Sequence, residues 1–372
     1  MKINLDLNNF RTEQRVAMQL KGLFESYGYA PYKMSKFEEY ELYSKNRDFI
    51  GDGSILTFTD TNGKLMALKP DVTLSIVKNS KSVSGIDKVY YNENVYRSSG
   101  KGESFKEIPQ SGIECIGQIG QYEIFEVILL SIMSLELTGR PYRLEISHMG
   151  ILSSLIDELN IPTEYINDLF TCIKRKNVSG IREIAQANGL FEISALEKAI
   201  EINGSVEFVL DRLRALNVPS INSAICELEN IAKLLDELGY KDKYGIDLSV
   251  VNDMSYYRSL VFRGYIDCVP EGILFGGRYD DLVTKMGGHG GAIGFAVMLD
   301  KLQELSRNEL PLSSDVLLVY NENSSLSEII ERSNQLRAMG LTVSALPYCE
   351  QKNEYGKVIY LNDNTEVTLE EE

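Results

Sequence analysis

Histidine is nearly missing from this chain: 372 residues hold only His148 and His289. A metal site built on several imidazoles, or a hydrolase triad built on one, therefore has little material. His289 stands inside Gly287-Gly288-His289-Gly290-Gly291 and is expected to be an exposed loop residue. Cysteine is sparse and scattered. Cys115, Cys172, Cys226, Cys268 and Cys349 are an odd set with no C-x-x-C spacing, which argues against a disulfide frame or a zinc knuckle and leaves small core residues as the expectation. Positive charge is in deficit, with 38 Lys and Arg against 54 Asp and Glu and a net charge of −16. Phosphate backbones need neutralising cations, so the balance argues against nucleic acid as a partner, a local basic patch aside. No apolar run is long enough to cross a bilayer. The stretch Met1-Lys2-Ile3-Asn4-Leu5-Asp6 has neither the charged end nor the apolar core of a secretion signal, and a cytoplasmic location is expected.

With 44 % apolar residues, the chain can bury a full core and should hold two or three domains. Val16, Leu20, Leu23 and Phe24 fall at helical spacing in a segment from Phe10 to Tyr27, which Gly28 can end. Tyr29 to Phe37 reads as extended. Leu56 to Asp60 and Lys64 to Leu68 flank Thr61-Asn62-Gly63, a hairpin signal because Asn-Gly accepts positive φ. A helix is expected to begin near Val72, with Pro70 close to its first turn. Lys88 to Tyr96 and Glu107 to Ile116 read as paired antiparallel strands around a loop from Ser98 to Ser104. Glu123 to Leu137 follows as an apolar helix and Tyr142 to Ile146 as a strand.

From about residue 149 to 245 the pattern is all-helical, as in Ile181 to Ala187, Ala195 to Ile202, Val206 to Leu216 and Ser223 to Leu238. Strand signals resume at Ile246 to Val251, Leu260 to Ile266 and Gly272 to Phe275, and a helix is expected over Phe295 to Leu305. Glu309 to Ser314 reads as a linker. Asp315 to Tyr320, Ser325 to Met339 and Leu341 to Leu346 then give a strand, helix, strand order. The expected fold class is α+β: an antiparallel sheet flanked by helices in residues 1–310, with a helical insertion at about 149–245 and a small α/β tail in 311–372.

The segments able to carry chemistry are polar and lie far apart in the chain. Asp71 and Thr73 follow an X-Pro step that aims both side chains at one place from a helix start, where Asp71 serves either as a cap or as a ligand contact. Gln110 and Glu114 have even spacing and share a sheet face, with Arg97 on the neighbouring strand. Such groups are either exposed or, if buried, need partners, and a ligand is one such partner. Tyr256 and Tyr257 are either core residues or ligand contacts. Gly276-Gly277-Arg278-Tyr279-Asp280 and Gly287 to Phe295 are rich in glycine but match neither phosphate-loop spacing, which favours backbone packing at a strand-to-helix junction. No paired carboxylates, Ser/His/Asp order or Cys/His pair stands out. Together the polar set suits a small zwitterion with a polar side chain.

Taken in order, these segments resemble the histidyl-tRNA synthetases and their catalytically dead paralogues, the regulatory subunits of ATP phosphoribosyltransferase. The resemblance covers roughly residues 8–305, and Gly-Gly-Arg-Tyr-Asp with Gly294-Phe295-Ala296 is rather specific to this pair. It implies the class II synthetase fold, usually dimeric, with motif 1 at Leu23 to Glu38, motif 2 at Tyr90 to Glu114 and motif 3 at Gly294 to Leu302. It further implies a histidine pocket in which Asp71, Thr73 and Gln110 surround the α-amino group. Arg97 would lie near the carboxylate and Glu114 with Tyr257 toward the imidazole, with Tyr256 also among the histidine-binding residues. No cofactor or metal is implied.

The departures point to the non-catalytic branch. Adenylation gathers negative charge at the α-phosphate, and fixed guanidinium donors stabilise it. Here the synthetase signature Val-Arg-Gly-Leu-Asp-Tyr-Tyr appears as Val251-Asn252-Asp253-Met254-Ser255-Tyr256-Tyr257. The motif 3 arginine position holds Lys301, which lacks the planar fork, and the motif 2 loop keeps only Lys101 and Glu103. Losing one preorganised donor costs about 2.7–4 kcal/mol of barrier. Asp71 stands in for the family's glutamate and Ser35 for its motif 1 proline, and the stretch after Pro311 is short for an anticodon-binding domain. The resemblance therefore implies a regulatory subunit that joins a short catalytic ATP phosphoribosyltransferase subunit in the first step of histidine biosynthesis, itself dimeric, with L-histidine as effector. A divergent histidyl-tRNA synthetase is the alternative.

Overall fold

The computed structural model describes residues 10–50, 55–80, 85–98, 104–159, 161–190, 193–251, 259–305, 314–347, 355–361 and 366–368. Contacts divide the chain into two units, Val16–Leu302 and Met1–Arg15 with Gln303–Glu372. The division expected at 310/311 falls outside the described residues.

The larger unit is built on an eight-stranded sheet. Its strands are β1 (Ala30–Pro31), β5 (Ile86–Ser98), β6 (Phe105–Gly117), β7 (Tyr142–His148), β8 (Tyr244–Ile246), β9 (Leu260–Ile266), β10 (Val269–Arg278) and β11 (Gly291–Met298), in the spatial order β1-β5-β6-β11-β10-β9-β7-β8. The pairs are antiparallel from β5 through to β7, as expected, whereas each edge adds one short parallel strand, β1 on β5 and β8 on β7. A smaller sheet is formed by β2 (Phe37–Glu39), β3 (Thr57–Thr59) and β4 (Leu65–Leu68), in the order β2-β4-β3. Its β3–β4 pair is the expected hairpin, with Gly63 at φ +80° and the Asp60 carboxylate accepting the N–H groups of Asn62 and Lys64.

Helices cover the larger sheet. In α1 (Thr12–Ser26) Val16, Leu20 and Phe24 recur every fourth residue and are fully buried. The helix closes as Gly28 takes φ +81° and Tyr29 N–H bonds back to Phe24 O. Two short helices follow, α2 (Tyr40–Ser44) and α3 (Arg47–Ile50), and then α4 (Thr73–Asn79). The apolar α5 (Gln121–Glu136) packs on β7, β9 and β11. The insertion is helical throughout its described residues: α6 (Met149–Asp157), α7 (Ile166–Lys174), α8 (Val178–Ala187), α9 (Ser194–Glu201), α10 (Val206–Arg214) and α11 (Asn222–Glu237). It is tied to the sheet by His148 Nε2 at 2.9 Å from Glu227 and by Lys176 Nζ at 2.9 Å from Asp247.

Three expectations are corrected. Phe295 to Leu305 is not one helix: β11 runs to Met298, and α13 (Leu299–Leu305) begins only then, after the short α12 (Asp280–Lys285). The misread strand residues are 295–298, where buried Phe295 and Val297 alternate with half-buried Ala296 and Met298, and so short a stretch running straight into α13 does not separate a strand end from a helix start. The strand expected over Ile246 to Val251 stops at Ile246, where Asp247 Oδ1 accepts Ser249 N–H at 2.8 Å and turns the chain. Of the cysteines, Cys115 is buried, Cys172 half-buried, and Cys226 and Cys268 exposed; all four are free thiols, and Cys349 lies outside the described residues.

In the smaller unit, β12 (Ser314–Val319), α14 (Leu326–Ala338) and β13 (Val343–Leu346) make the expected parallel crossover. Ser325 and Glu328 cap α14 reciprocally. Two strands not anticipated, β14 (Tyr355–Tyr360) and β15 (Glu366–Thr368), complete a sheet in the order β13-β12-β14-β15. Among the described residues no helix is long and apolar enough to cross a membrane.

Candidate functional site

A cavity of about 360 Å³ opens on one face of the large sheet, against the start of α4 and the end of α3. Strand alternation builds its floor. Gln110, Gly112 and Glu114 of β6 share a face and lie directly opposite Met298, Ala296 and Gly294 of β11. Gly294 is a packing requirement: a Cβ there would overlap Glu114 Oε2 and the carbonyl oxygen of Ile113. The absent side chain is the space in which the Glu114 carboxyl sits.

The Leu68-Lys69-Pro70-Asp71-Val72-Thr73 segment is pinned over this floor from β5. Tyr96 N–H donates to Lys69 O at 2.9 Å and Arg97 Nε to Pro70 O at 2.7 Å. The Lys69 ammonium is buried and meets Glu93 at 2.5 Å. Asp71 makes the helix-start bond that the capping reading expects. Its Oδ1 accepts Leu74 N–H at 2.9 Å at the helix start, while its Oδ2 lies 3.7 Å from Arg97 Nη2 at the cavity edge.

Glu114 is the centre of the site and only 3 % exposed. Thr73 Oγ1 donates to its Oε1 at 2.6 Å, and the Tyr279 hydroxyl donates to its Oε2. Burial pushes its pKa up to about 8, against the two hydroxyl donors that favour the anion, and nearby Asp71 pushes the same way. Burial also raises Asp71, opposed by Arg97 and by the backbone N–H groups of the α4 start. Gln110 is buried as well, its Nε2 at 3.1 Å from Met298 Sδ.

The cavity thus gathers Asp71, Thr73, Arg97, Gln110 and Glu114 from segments as much as 43 residues apart, whereas Tyr256 and Tyr257 lie outside the described residues, as do Asn252 and the loop residues Lys101 and Glu103. Sequence reasoning left Tyr279 out of the site. It belongs to Gly276-Gly277-Arg278-Tyr279-Asp280, which forms the strand-to-helix junction expected of it: β10 ends at Arg278, whose guanidinium meets the Asp280 carboxylate at 2.8 Å, and α12 begins. The aromatic residue flanked by Arg and Asp was the available signal. Phe49, Ile50, Tyr91 and Phe275 give the cavity an apolar wall that no sequence spacing marks.

Chemically, a buried acid, a half-buried acid, a buried amide and a hydroxyl face an apolar wall, with one arginine that already donates to Pro70 and pairs with Asp71. Such a lining favours a small ligand bearing an amine or another N–H donor, and it disfavours a triphosphate, which needs several cations. Among the described residues no group of His, Cys, Asp and Glu could hold a metal ion.

The family model described as Histidyl-tRNA synthetase matches residues 4–302. An ATP phosphoribosyltransferase regulatory subunit of Caldanaerobacter subterraneus subsp. tengcongensis is 30 % identical over 354 residues, covering 92 % of each chain. Its namesake from Clostridium kluyveri is 29 % identical, covering 90 % of this chain and 88 % of that one. Among solved structures, an ATP phosphoribosyltransferase regulatory subunit/histidyl-tRNA synthetase from Bacillus halodurans superposes with a TM-score of 0.79 at 26 % identity, over 94 % of this chain and 93 % of that one. A chain of the ATP phosphoribosyl transferase complex from Thermotoga maritima has the same fold, with a TM-score of 0.62 at 22 % identity over 77 % of this chain and 97 % of that one. With a family model spanning most of its length and the Caldanaerobacter relative, 30 % identical, covering nine-tenths of it, the chain belongs to the ATP phosphoribosyltransferase regulatory subunits, the family built on the histidyl-tRNA synthetase fold.

Proposed function

We propose that this chain is a non-catalytic subunit that assembles with a short catalytic ATP phosphoribosyltransferase subunit in the cytoplasm and carries histidine as its effector. The observation that carries the effector role is Glu114, buried at the base of the cavity, held by Thr73 and Tyr279 and facing a space lined by Asp71 and Gln110. A free amino acid with an N–H-bearing side chain satisfies those groups; an adenylation site needs cations that the sequence has replaced, Asn252 and Lys301 standing where the synthetases carry arginine. The regulatory relatives support the role, and the shared fold in the Thermotoga maritima complex supports a catalytic partner. The class II likeness adds self-association as a dimer. Histidine acts on the partner by preferring one state of the complex, and the difference in affinity between states limits the effect.

Calorimetric titration of histidine into the protein, alone and with the catalytic subunit, tests this reading. Binding is expected, and Glu114→Ala should remove histidine inhibition of the complex while leaving assembly intact. Absence of binding in both preparations would remove the effector role. Histidine-dependent pyrophosphate exchange with ATP would instead establish the synthetase alternative.

A further inference from the structure

The cavity face of the sheet continues past the lining residues to a cation that the site as described does not use. In the ladder, Ala296 of β11 pairs with Phe275 of β10, and Phe275 pairs with Arg263 of β9, so all three project on one face. Phe275 and Ala296 line the cavity. Arg263 is one strand further, about 4.8 Å on, and its guanidinium carbon lies 5.2 Å from the centre of the Phe275 ring. On its other side Arg263 faces Glu145 of β7, but that carboxylate is taken by Arg143 Nε at 2.5 Å. Arg263 instead lies over Phe275, a residue of the cavity lining. Its Nε–H is buried with no hydrogen-bond partner, and it makes no ion pair among the described residues. Arg97, by contrast, already bonds Pro70 and faces Asp71.

We propose that Arg263 forms an oxyanion subsite beside Phe275, where its guanidinium takes the carboxylate of the amino acid held in the cavity. A half-buried guanidinium lying over an aromatic ring keeps its planar fork oriented, and two parallel N–H donors match a carboxylate. The assignment rests on the reading that the cavity holds a free amino acid. It gives the carboxylate a second cation, since Arg97 is shared with an acid.

The test compares histidine with histidinol, which lacks the carboxylate, by calorimetry on the unaltered protein, Arg263→Gln and Arg263→Lys. Arg263→Gln is expected to weaken histidine about tenfold or more, the usual effect of losing a charge-assisted bond, and to leave histidinol unchanged. Arg263→Lys should recover part of the loss. Equal histidine affinity in the unaltered protein and Arg263→Gln overturns the assignment, and so does an equal loss of both ligands, the mark of a structural role. Adenosine monophosphate is titrated as a further arm; if it alone loses affinity in Arg263→Gln, the guanidinium serves a phosphate and the assignment is overturned. Failure of the unaltered protein to bind histidine overturns the effector reading together with this one. Should Arg263→Gln not fold, Arg263→Lys carries the comparison, and an unchanged ratio of histidine to histidinol affinity overturns it.

Discussion

Replacing Glu114 with glutamine should remove one pH-dependent contribution to stability. Glutamine has the shape of the protonated carboxyl and cannot ionise. Burial raises the Glu114 pKa to about 8 from an ordinary value of 4.5. The folded state therefore holds a proton across a pH range in which the unfolded chain has released it. Stability from this group is fully present below about pH 4.5 and is lost as pH rises through about 8, since the unfolded state binds fewer protons over that interval. From pH 5 to pH 7 the loss works out at roughly 2.5 kcal/mol for those two pKa values. The variant lacks this term. It gives up some hydrogen-bond quality instead, because the Tyr279 hydroxyl must turn from donor to acceptor for the new amide, a cost of about 1 kcal/mol at any pH. The Glu114→Gln protein should thus be slightly less stable than the parent near pH 5 and more stable near pH 7. Urea unfolding of both at half-unit steps from pH 5 to pH 8 reads the difference directly, with the titration of all other groups cancelling. A parent-minus-variant difference independent of pH would refute the buried, proton-holding Glu114; a difference rising with pH would mean that Thr73 and Tyr279 outweigh burial.

The same proton should appear in ligand binding. If the bound histidine side chain and Glu114 share one proton, binding at pH 6 releases about 0.8 proton, the count crosses zero near pH 7, and uptake follows by pH 9, given an imidazole pKa of about 6.5; calorimetry in buffers of different ionisation enthalpy measures it, and a count constant with pH refutes it. Tyr279→Phe should cost about 1–3 kcal/mol of stability, since it removes a buried donor from Glu114, and should weaken histidine without abolishing it; an unchanged affinity would show that Tyr279 only packs. Gly294→Ala drives a methyl into Glu114 and the β6 backbone, and a destabilisation of about 1–3 kcal/mol with loss of histidine binding is expected in urea melts and calorimetry. Lys69→Ala leaves Glu93 without the partner it meets at 2.5 Å and should cost about 3–5 kcal/mol, whereas Lys69→Met with Glu93→Leu should recover much of that. Equal stabilities of the single and double variants would contradict a buried ion pair.

Local rules carried the elements whose signals are local. The α1 stripe of Val16, Leu20 and Phe24, the Asn62-Gly63 hairpin, the paired strands β5 and β6, the helical insertion and the β12-α14-β13 crossover all follow from period, turn chemistry and caps. The same rules failed at element ends. The last residues of β11, 295–298, read as part of the helix that follows because the strand runs straight into α13, and the strand after Tyr244 was overextended because an aspartate turn at Asp247 overrode its apolar run. The parallel edge pairs β1–β5 and β7–β8 join segments about 60 and 100 residues apart, and no local pattern records such a pairing.

For the candidate site, residue types and even spacing marked Asp71, Thr73, Arg97, Gln110 and Glu114 as polar groups that were either exposed or in need of partners, and only the family resemblance grouped them as one pocket; the fold brings these five to one cavity. Tyr279, Gly294 and Arg263 have roles that no spacing reveals. Each depends on which strand lies beside which: β11 between β6 and β10 sets Gly294 under Glu114, and β9 beyond β10 sets Arg263 on Phe275. The primary structure therefore settled which polar groups this chain owns. The pKa of Glu114, the commitment of Arg97 and the idle guanidinium of Arg263 were settled by folding, because burial and register are properties of neighbours in space rather than in sequence.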